Sequence, residues 1–339
     1  MLRYGNITTS IDLDGSGKRN GFLDLNHSDN QHAFSSIRLP IGIISGKPGP
    51  TLLITAGSHG DEYEGQVISH QLMQHLSPDD LTGRIILLPA LNLPAVRERT
   101  RVSPLDKGNM NLSFSCQNHG PTANIAGFVN QHLIPMSDII IDIHSGGTAT
   151  QYVDCTYLCR GSNHVLNKSN LELADVFGAN FIMVHNIDGT SSDFDTAAHR
   201  QGKRFLSCEL GGMGSLNPSS KAAGWNGIMR ILHHLKMITS SEIPLTKETP
   251  RLIDVTEDMF HITSLHHGLA SWEIELGQYV QAGDHLATIY DSHNFGTVLA
   301  KMSANREGIV AVCRRNPLVE PGDHLFMICP EIKRINYLW

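Results

Sequence analysis

From residue 51 onward, short runs of apolar residues alternate with longer stretches in which apolar and polar residues follow helical spacing. Short apolar runs typical of buried strands occur at residues 52–56, 85–88, 139–141, 181–184 and 204–208. Longer stretches with apolar residues at helical spacing occur at residues 66–76, 124–133 and 163–177, and around Trp225 to Leu235. This alternation predicts an α/β fold, a sheet with helices on both faces.

The regions that flank this middle part have a different texture. Residues 1–50 are rich in Gly and Ser and contain short apolar runs at 21–25 and 37–44, which predicts short strands and turns. Residues 239–250 are polar and contain two prolines. This stretch is therefore the predicted linker.

Beyond the linker the pattern indicates short strands and turns, and two of the turns are alike. Val280-Gln281-Ala282-Gly283-Asp284 and Val319-Glu320-Pro321-Gly322-Asp323 share their last two residues and their first. We predict a small, pseudo-symmetric all-β domain of the barrel-sandwich kind found in lipoyl and biotinyl carriers.

The predicted domains are an α/β domain at residues 1–245, which includes the N-terminal β segments 1–50, and the β domain at residues 251–339. In carriers of the barrel-sandwich kind a modified lysine stands at a hairpin tip. Lys301 is the nearest candidate here, but it lies beside a predicted strand, which disfavours a carrier function.

Composition excludes several classes of protein. The 339 residues are 40% apolar and 17% charged, as in an ordinary folded protein, and the formal net charge is −7 with no Lys/Arg block. We therefore expect no nucleic acid partner. No stretch has the roughly 20 apolar residues of a membrane span, and the N-terminus has no secretory pattern.

Cysteine usage predicts a reducing, cytoplasmic location. The six cysteines are scattered: Cys116, Cys155, Cys159, Cys208, Cys313 and Cys329. Cys155 and Cys159 are four residues apart, which is not the CxxC spacing of redox or zinc-ribbon sites. We expect all six to be free thiols.

Two predicted strands end in residues that bind metals. The loop after 52–56 contains His59 and Glu62, and a second strand ends in Asp142-Ile143-His144. Two His and one Glu are typical ligands of a catalytic zinc, and open α/β sheets place ligands beyond the carboxyl ends of their strands. Either motif alone would suit an ordinary polar turn, but together they favour a metal site. Asp142 points to the same side as His144 and is a candidate partner for a ligating ring.

Further polar residues could complete an active site. Glu209 follows another apolar run and is a candidate general base. Glu64 is a rival acid, but it is less favoured because it lies too close to the ligand loop to be free for proton transfer. Arg101 could stabilise an oxyanion, although an arginine-rich loop is often only solvated. Asn111 could bind a polar group of the substrate.

These motifs, in this order, resemble the succinylglutamate desuccinylase/aspartoacylase family, a branch of the zinc carboxypeptidase fold. The resemblance is carried by HGDEYEG at 59–65, TRVSP at 100–104, GNMN at 108–111, DIHSGG at 142–147, DTAA at 195–198 and CELGG at 208–212. It extends over most of the chain, including the β domain with its PGD turn. It implies a zinc carboxypeptidase-like mixed sheet with helices on both faces.

The resemblance also implies an activity, the hydrolysis of the amide bond of a small N-acyl amino acid, and an N-acetyl-diaminobutyrate-like substrate is favoured. One Zn²⁺ per chain would be held by the two histidines and the glutamate named above. Glu209 would act as general base and then as general acid. Arg101 would polarise the scissile carbonyl, and Asn111 would contact the substrate carboxylate.

One position departs from the family pattern. The family has Arg after the asparagine, as part of a carboxylate clamp, whereas this chain has Leu112. The substrate could lack a carboxylate there, another cation such as Arg97, Arg99 or Lys107 could replace the arginine, or the activity could be reduced. Altered specificity is the favoured explanation.

Alternative functions remain open at this point. A metallocarboxypeptidase acting on short peptides would need a cation for the terminal carboxylate, which the replaced arginine disfavours. A non-catalytic relative that binds a metal or metabolite would have no need of Glu209. The expected partner is a small molecule rather than nucleic acid or a membrane, and a homo-oligomer is possible.

Overall fold

The protein is built around an 11-stranded mixed sheet. The computed structural model describes residues 1–28, 30, 33–115, 119–187, 191–239, 249–256, 260–334 and 337. From one edge to the other, the strands are β1 (Leu2–Tyr4), β2 (Ile7–Thr9), β3 (Gly17–His27), β4 (Ser35–Ser45), β6 (Thr82–Leu88), β5 (Lys47–Ala56), β7 (Ile139–His144), β11 (Arg204–Glu209), β9 (Cys155–Arg160), β10 (Phe181–Asn186) and β12 (Arg251–Asp254). Parallel pairs join β6, β5, β7 and β11 in the centre, and β9 runs antiparallel to β11.

Helices cover both faces of this sheet, as predicted. They are α1 (Glu64–His75), α2 (Leu93–Glu98), α3 (Pro121–Phe128), α4 (Ile134–Met136), α5 (His164–Phe177), α6 (Phe194–Arg200) and α7 (Pro218–His234). A π-helical turn, Val129–Leu133, joins α3 to α4, and single 3₁₀ turns occupy Pro78–Asp80 and Met110–Leu112.

The central strands read as unbroken apolar runs because each is buried on both faces. In β7, Ile139 and Ile141 pack into the core that contains α1, α5 and α7, whereas Ile140 packs into the core that contains α3 and α6. Successive side chains of a strand point to opposite faces, so both kinds of position must be apolar. The α/β fold class is confirmed. The bounds of the predicted helices and central strands differ from the observed ones by at most five residues, except that α7 begins seven residues before Trp225.

The prediction of short strands and turns at the N-terminus holds for β1 and β2, which have three residues each, but not for β3 and β4. Strands β3 and β4 have 11 residues each and pair along their whole length. The buried residues of β3 lie within the apolar run at 21–25, and those of β4 lie within the run at 37–44. The polar remainder, such as Lys18 and Arg19, is held by backbone hydrogen bonds to the partner strand, which leave no hydrophobic signal.

The C-terminal region forms two further sheets around its own apolar core. One contains β13 (His261–Thr263), β20 (His324–Cys329), β18 (Gly308–Arg314), β15 (Tyr279–Val280) and β8 (Thr150–Tyr152), and the other contains β17 (Val298–Ser303), β16 (His285–Tyr290), β14 (Gly268–Trp272) and β19 (Leu318–Val319). Lys301 lies in the middle of β17, paired with Thr288, and not at a hairpin tip.

The two turns that look alike in sequence are also alike in structure. Gln281 donates its backbone N–H to the Asp284 carboxylate at 2.8 Å, and Glu320 donates to Asp323 at 2.9 Å. The glycine before each aspartate has φ near +95°, a conformation that side-chain-bearing residues rarely adopt. The predicted pseudo-symmetry therefore has a structural counterpart.

Two connections tie the C-terminal sheets to the large sheet. Strand β8, which follows β7, pairs with β18, and β12 extends the large sheet beside β10. Arg251–Asp254 thus belongs to the large sheet, while most of the predicted linker at 239–250 lies outside the described residues. The division into two domains stays a prediction. No helix in the described ranges is long and apolar enough to cross a membrane.

Candidate metal centre and the cavities beside it

Three adjacent parallel strands, β5, β7 and β11, deliver the predicted site residues to one edge of the sheet. His144 ends β7 and Glu209 ends β11, and the two residues are paired in register. The loop that follows β5 brings His59 and Glu62 to the same place. Asp142 is in register with Thr55 and accepts a hydrogen bond from its hydroxyl at 2.6 Å. The carboxyl edge of the sheet therefore gathers these residues, as expected.

His59, Glu62 and His144 form a buried cluster whose ligand atoms all lie within 4.8 Å of one another. Glu62 Oε1 is 2.7 Å from His59 Nδ1, and Glu62 Oε2 is 3.0 Å from His144 Nδ1. The three residues are only 3%, 3% and 7% exposed. Two imidazole nitrogens and one carboxylate are a donor set that suits a catalytic zinc ion.

Charge interactions set the protonation of this cluster. Burial alone would raise the pKa of Glu62, but the charges and hydrogen bonds of His144 and His59 outweigh burial and lower it to about 2. Burial alone would lower the pKa of His144, but Asp142 and Glu62 raise it well above its usual value. The metal-free cluster is thus an ionised carboxylate between two rings, of which at least His144 holds its proton firmly.

The neighbours of the cluster orient the rings. Asp142 Oδ2 lies 2.7 Å from His144 Nε2, the nitrogen that faces away from Glu62. Asn109 Oδ1 is 3.1 Å from His59 Nε2 in the same way. The contact of Asp142 agrees with the prediction made for it, whereas Asn109 was missed. The GNMN motif singled out its segment, but nothing in the sequence shows which asparagine meets the ring.

The ligand loop is held in place by close packing and by its own polar contacts. A Cβ on Gly60 would lie 2.0 Å from the carbonyl oxygen of Ala95, so no larger residue fits there without a shift. Asp61 accepts hydrogen bonds from the backbone N–H and hydroxyl of Thr148, both at 2.8 Å. These contacts fix the loop against α2 and against the segment that follows His144.

Glu209 is the carboxyl group best placed for proton transfer. Desolvation and the nearby Glu62 carboxylate raise its pKa to about 8. Its buried Oε2 atom has no hydrogen-bond partner among the described residues. The rival Glu64 instead accepts a backbone N–H from Asn217 at 2.9 Å, at the start of α7. That contact gives Glu64 a structural place in the fold.

Two cavities meet at this site. One of about 260 Å³ is lined by the two histidines of the metal-ligand cluster, His59 and His144, together with Asn111 and Leu112. The other, of about 420 Å³, lies against β18 and β20 of the C-terminal region, and Arg314 lines it. Arg101, Tyr152 and Glu209 line both cavities.

Arg101 is the one Arg or Lys among the described residues that line the smaller cavity. Its Nη1 atom lies 3.4 Å from His59 Nδ1 and 3.7 Å from Glu62 Oε1, and its side chain is 59% exposed. The suggested substitutes for the family arginine, Arg97, Arg99 and Lys107, are exposed and line neither cavity. Leu112 is itself 51% exposed on the cavity wall.

A second cluster of possible metal ligands was not predicted. Cys159, His185 and Asp195 place a sulfur, a nitrogen and an oxygen within 4.8 Å of one another. No local sequence motif joins these residues, because they come from three separate elements, β9, β10 and α6. Strand β9, which carries Cys159, was not predicted either.

Comparison with known proteins agrees with the resemblance in the motifs. Residues 48–235 match the model of the succinylglutamate desuccinylase/aspartoacylase catalytic domain. The N-alpha-acetyl-L-2,4-diaminobutyric acid deacetylase of Halomonas elongata is 34% identical over 337 residues, which cover 97% of this chain and 96% of that protein.

Solved structures agree as well. A product-bound structure of the ectoine utilization protein EutE (DoeB) from Ruegeria pomeroyi has a TM-score of 0.91 at 32% identity, covering 97% of this chain and all of that one. A succinylglutamate desuccinylase from a Silicibacter species has a TM-score of 0.91 at 30% identity, covering 98% of this chain and all of that one. The similarity therefore includes the C-terminal β region as well as the large sheet.

Proposed function

Because the chain belongs to the succinylglutamate desuccinylase/aspartoacylase family, we propose that it is a zinc-dependent deacylase of small N-acyl amino acids. An N-acetyl-diaminobutyrate-like substrate is favoured, since a relative 34% identical over nearly the whole chain bears that activity in its name. The observation that carries the proposal is the buried cluster of His59, Glu62 and His144, whose two histidines line one cavity together with Glu209.

The donor set fits zinc better than magnesium or calcium, which prefer oxygen ligands. His59, Glu62 and His144 would hold one ion at this centre and leave a fourth position open. When bound, the ion would supply a Lewis acid that acidifies water and polarises a carbonyl group. Glu209 and Glu64 each have an Oε2 atom without a hydrogen-bond partner among the described residues, but only Glu209 lines the cavities, as expected of a carboxylate that works on a molecule entering them.

The residues of this chain would divide the reaction as follows. Glu209 takes a proton from the attacking water and later gives it to the leaving nitrogen, so that one amide and one water yield a carboxylic acid and an amine. A pKa raised to about 8 by desolvation and Glu62 keeps two forms populated near neutral pH, the ionised form that accepts the proton and the protonated form that donates it. Arg101 donates hydrogen bonds to the carbonyl oxygen as it gains charge.

Substrate selection is assigned to Asn111 and Leu112. Asn111 would hold a polar group of the substrate, and Leu112 removes the charged fork with which the family holds a carboxylate. None of the three candidate replacements reaches the cavity wall. An altered specificity is therefore preferred to a simple substitution of one cation by another.

The location and assembly of the protein are also proposals. A cytoplasmic location is supported by the five cysteines that the structure describes, all of which are buried free thiols, while Cys116 lies outside the described residues. Homo-oligomer formation stays a prediction from sequence.

The test is amine release from a panel of N-acyl amino acids by the zinc-loaded protein. The panel contains N-alpha-acetyl-diaminobutyrate, N-acetylaspartate, N-succinylglutamate and an unblocked dipeptide. Turnover of an N-acyl amino acid with no cleavage of the dipeptide supports the proposal. Preferential cleavage of the dipeptide would make the protein a carboxypeptidase, and no turnover by metal-loaded protein would leave a binding protein.

A further inference from the structure

The cluster of Cys159, His185 and Asp195 lies outside the metal centre but beside the same cavity. His185 and Asp195 line the cavity of about 260 Å³ together with His59 and His144. Cys159 lies behind them and is 6% exposed. None of the three has a part in the reaction proposed above.

Sheet register explains why Cys159 and His185 meet. They are direct partners across the parallel strands β9 and β10, so their side chains leave the sheet on the same face. The sulfur of Cys159 lies 2.6 Å from His185 Nε2. The third member, Asp195, is in the first turn of α6 and contacts both of the others.

The contacts within the cluster form a closed triangle. Asp195 Oδ2 is 3.2 Å from His185 Nε2 and in close contact with Cys159 Sγ, which itself contacts the imidazole. A thiol and an imidazole Nε2–H together supply two protons, which can make hydrogen bonds along two sides of the triangle. All three donor atoms lie within 4.8 Å of one another, close enough for one ion to be held among them.

We propose that Cys159, His185 and Asp195 are a second metal-binding site, selective for zinc or a similar borderline-soft divalent cation. Sulfur and imidazole ligands favour zinc or cobalt over magnesium and calcium, and one carboxylate completes a three-ligand set. With a thiolate, a carboxylate and a neutral ring, the site and a divalent ion together carry no net charge. The fourth coordination position would be open to a water or a carboxylate from the cavity.

Metal binding would require a proton to leave the cluster. Burial and the Asp195 carboxylate raise the pKa of the Cys159 thiol well above its usual value, so the metal-free cysteine is a neutral thiol. A metal ion must displace this proton to gain the thiolate. The expected metal content of the protein rises from one ion per chain, at the first centre, to two.

The test uses cobalt(II), which reports thiolate ligation by a sulfur-to-cobalt charge-transfer band in the near ultraviolet. Metal is removed with a chelator, Co²⁺ is added back to the whole chain, and bound cobalt is measured per chain after gel filtration. We expect two ions per chain and a charge-transfer band for the wild type. Cys159→Ala should bind one ion and lose the band.

Matched variants separate the two sites. Cys329→Ala removes another buried cysteine, in β20, and should keep both ions and the band. His59→Ala should keep the band while losing one ion, because it damages only the first centre. If Cys159→Ala does not fold, Asp195→Asn, which also removes one ligand, should reduce the count from two to one.

One outcome overturns the proposal. Wild-type protein that binds a single cobalt without a thiolate band would show that the cluster is a hydrogen-bonded group of side chains. Since the readouts are metal count and spectrum, failure of this proposal would be distinguishable from failure of the proposed deacylase activity, which is measured by amine release.

Discussion

The two sides of the active-site cavity differ in how firmly their residues are held. The metal wall consists of His59, Glu62, Asp142, His144 and Glu209. Its first four members are buried and bonded to one another or to the strands beneath. The substrate wall consists of Arg101, Asn111 and Leu112. Two of its three side chains are more than half exposed.

This difference indicates which residues of the site can change at little cost to the stability of the fold. A change in the metal wall leaves a buried charge or polar atom without a partner, which costs several kcal/mol. A change in the substrate wall alters contacts with a ligand and little else. Leu112, at the position where the family resemblance predicts an arginine, would be such a change.

Glu209→Gln should have the largest effect. A glutamine keeps the size of the side chain but can neither accept nor return the proton, so kcat should fall by about 10²–10⁴-fold. Steady-state amine release measures it. Glu64→Gln is the matched control. Glu64 is a buried acid near the ligand loop and accepts a hydrogen bond from Asn217, and the kcat of this variant should fall by less than about tenfold. Equal losses in both variants would contradict the assignment of Glu209.

Arg101→Ala should reduce kcat by about 10²–10³-fold, the usual cost of losing one donor to an oxyanion. KM should change less than kcat, because the contact strengthens as charge develops on the carbonyl oxygen. The two parameters are measured on the best substrate of the panel. A variant in which only KM rises would place Arg101 in substrate binding and remove it from catalysis.

Asp142→Asn should weaken metal binding by about 10–100-fold, since it removes the charged partner of His144 Nε2. Competition with a chromogenic chelator measures the affinity. Asp138→Asn changes an acid just before the same strand, where it accepts the backbone N–H of Thr51. That control should bind metal like the wild type. Unchanged affinity in Asp142→Asn would show that the ring needs no charged partner.

Metal affinity should decrease as the pH falls. Asp142 and Glu62 raise the pKa of His144 well above its usual value, so at neutral pH the metal-free ring carries a proton that the metal must displace. Below that pKa we expect about a tenfold loss of affinity for each pH unit. Isothermal titration in two buffers of different ionisation enthalpy should show proton release at pH 7. The titration is made in Cys159→Ala so that only the first centre contributes. Metal binding there without proton release would contradict a protonated His144.

Leu112→Arg should have the smallest effect and the opposite direction. Restoring the charged fork should lower KM for a carboxylate-bearing substrate by about tenfold, as a charge-assisted contact at a half-exposed site would. kcat should stay nearly constant. Leu216→Arg, at another partly exposed leucine away from both cavities, is the control. Higher KM in Leu112→Arg would mean that the pocket has been reshaped around an uncharged group.

The same contrast explains what the sequence could and could not predict. His144 and Glu209 each end an apolar run, and a strand buried on both faces has a strong signal. The family resemblance and the α/β fold were predicted from such motifs and are confirmed. The contact between Asn109 and His59 and the cluster around Cys159 depend on how distant elements pack. No local pattern encodes that packing.

The length of β3 and β4 was missed for a related reason. Hydrophobic periodicity reports burial, and only part of each strand is buried. Leu112 shows the converse, because its difference from the family was visible in the sequence while its consequence depends on the cavity. Three candidate replacements for the arginine expected at position 112 are disfavoured, because Arg97, Arg99 and Lys107 do not line the cavity.

The proposed function requires a metal ion on His59, Glu62 and His144 for deacylation. The most direct measurement is amine release from N-alpha-acetyl-diaminobutyrate, or the best substrate of the panel, by chelator-treated protein whose metal content is followed during zinc addition. Protein without metal should release no amine, activity should recover as zinc is added, and His144→Ala should not recover. Full activity in protein shown to be metal-free would contradict it.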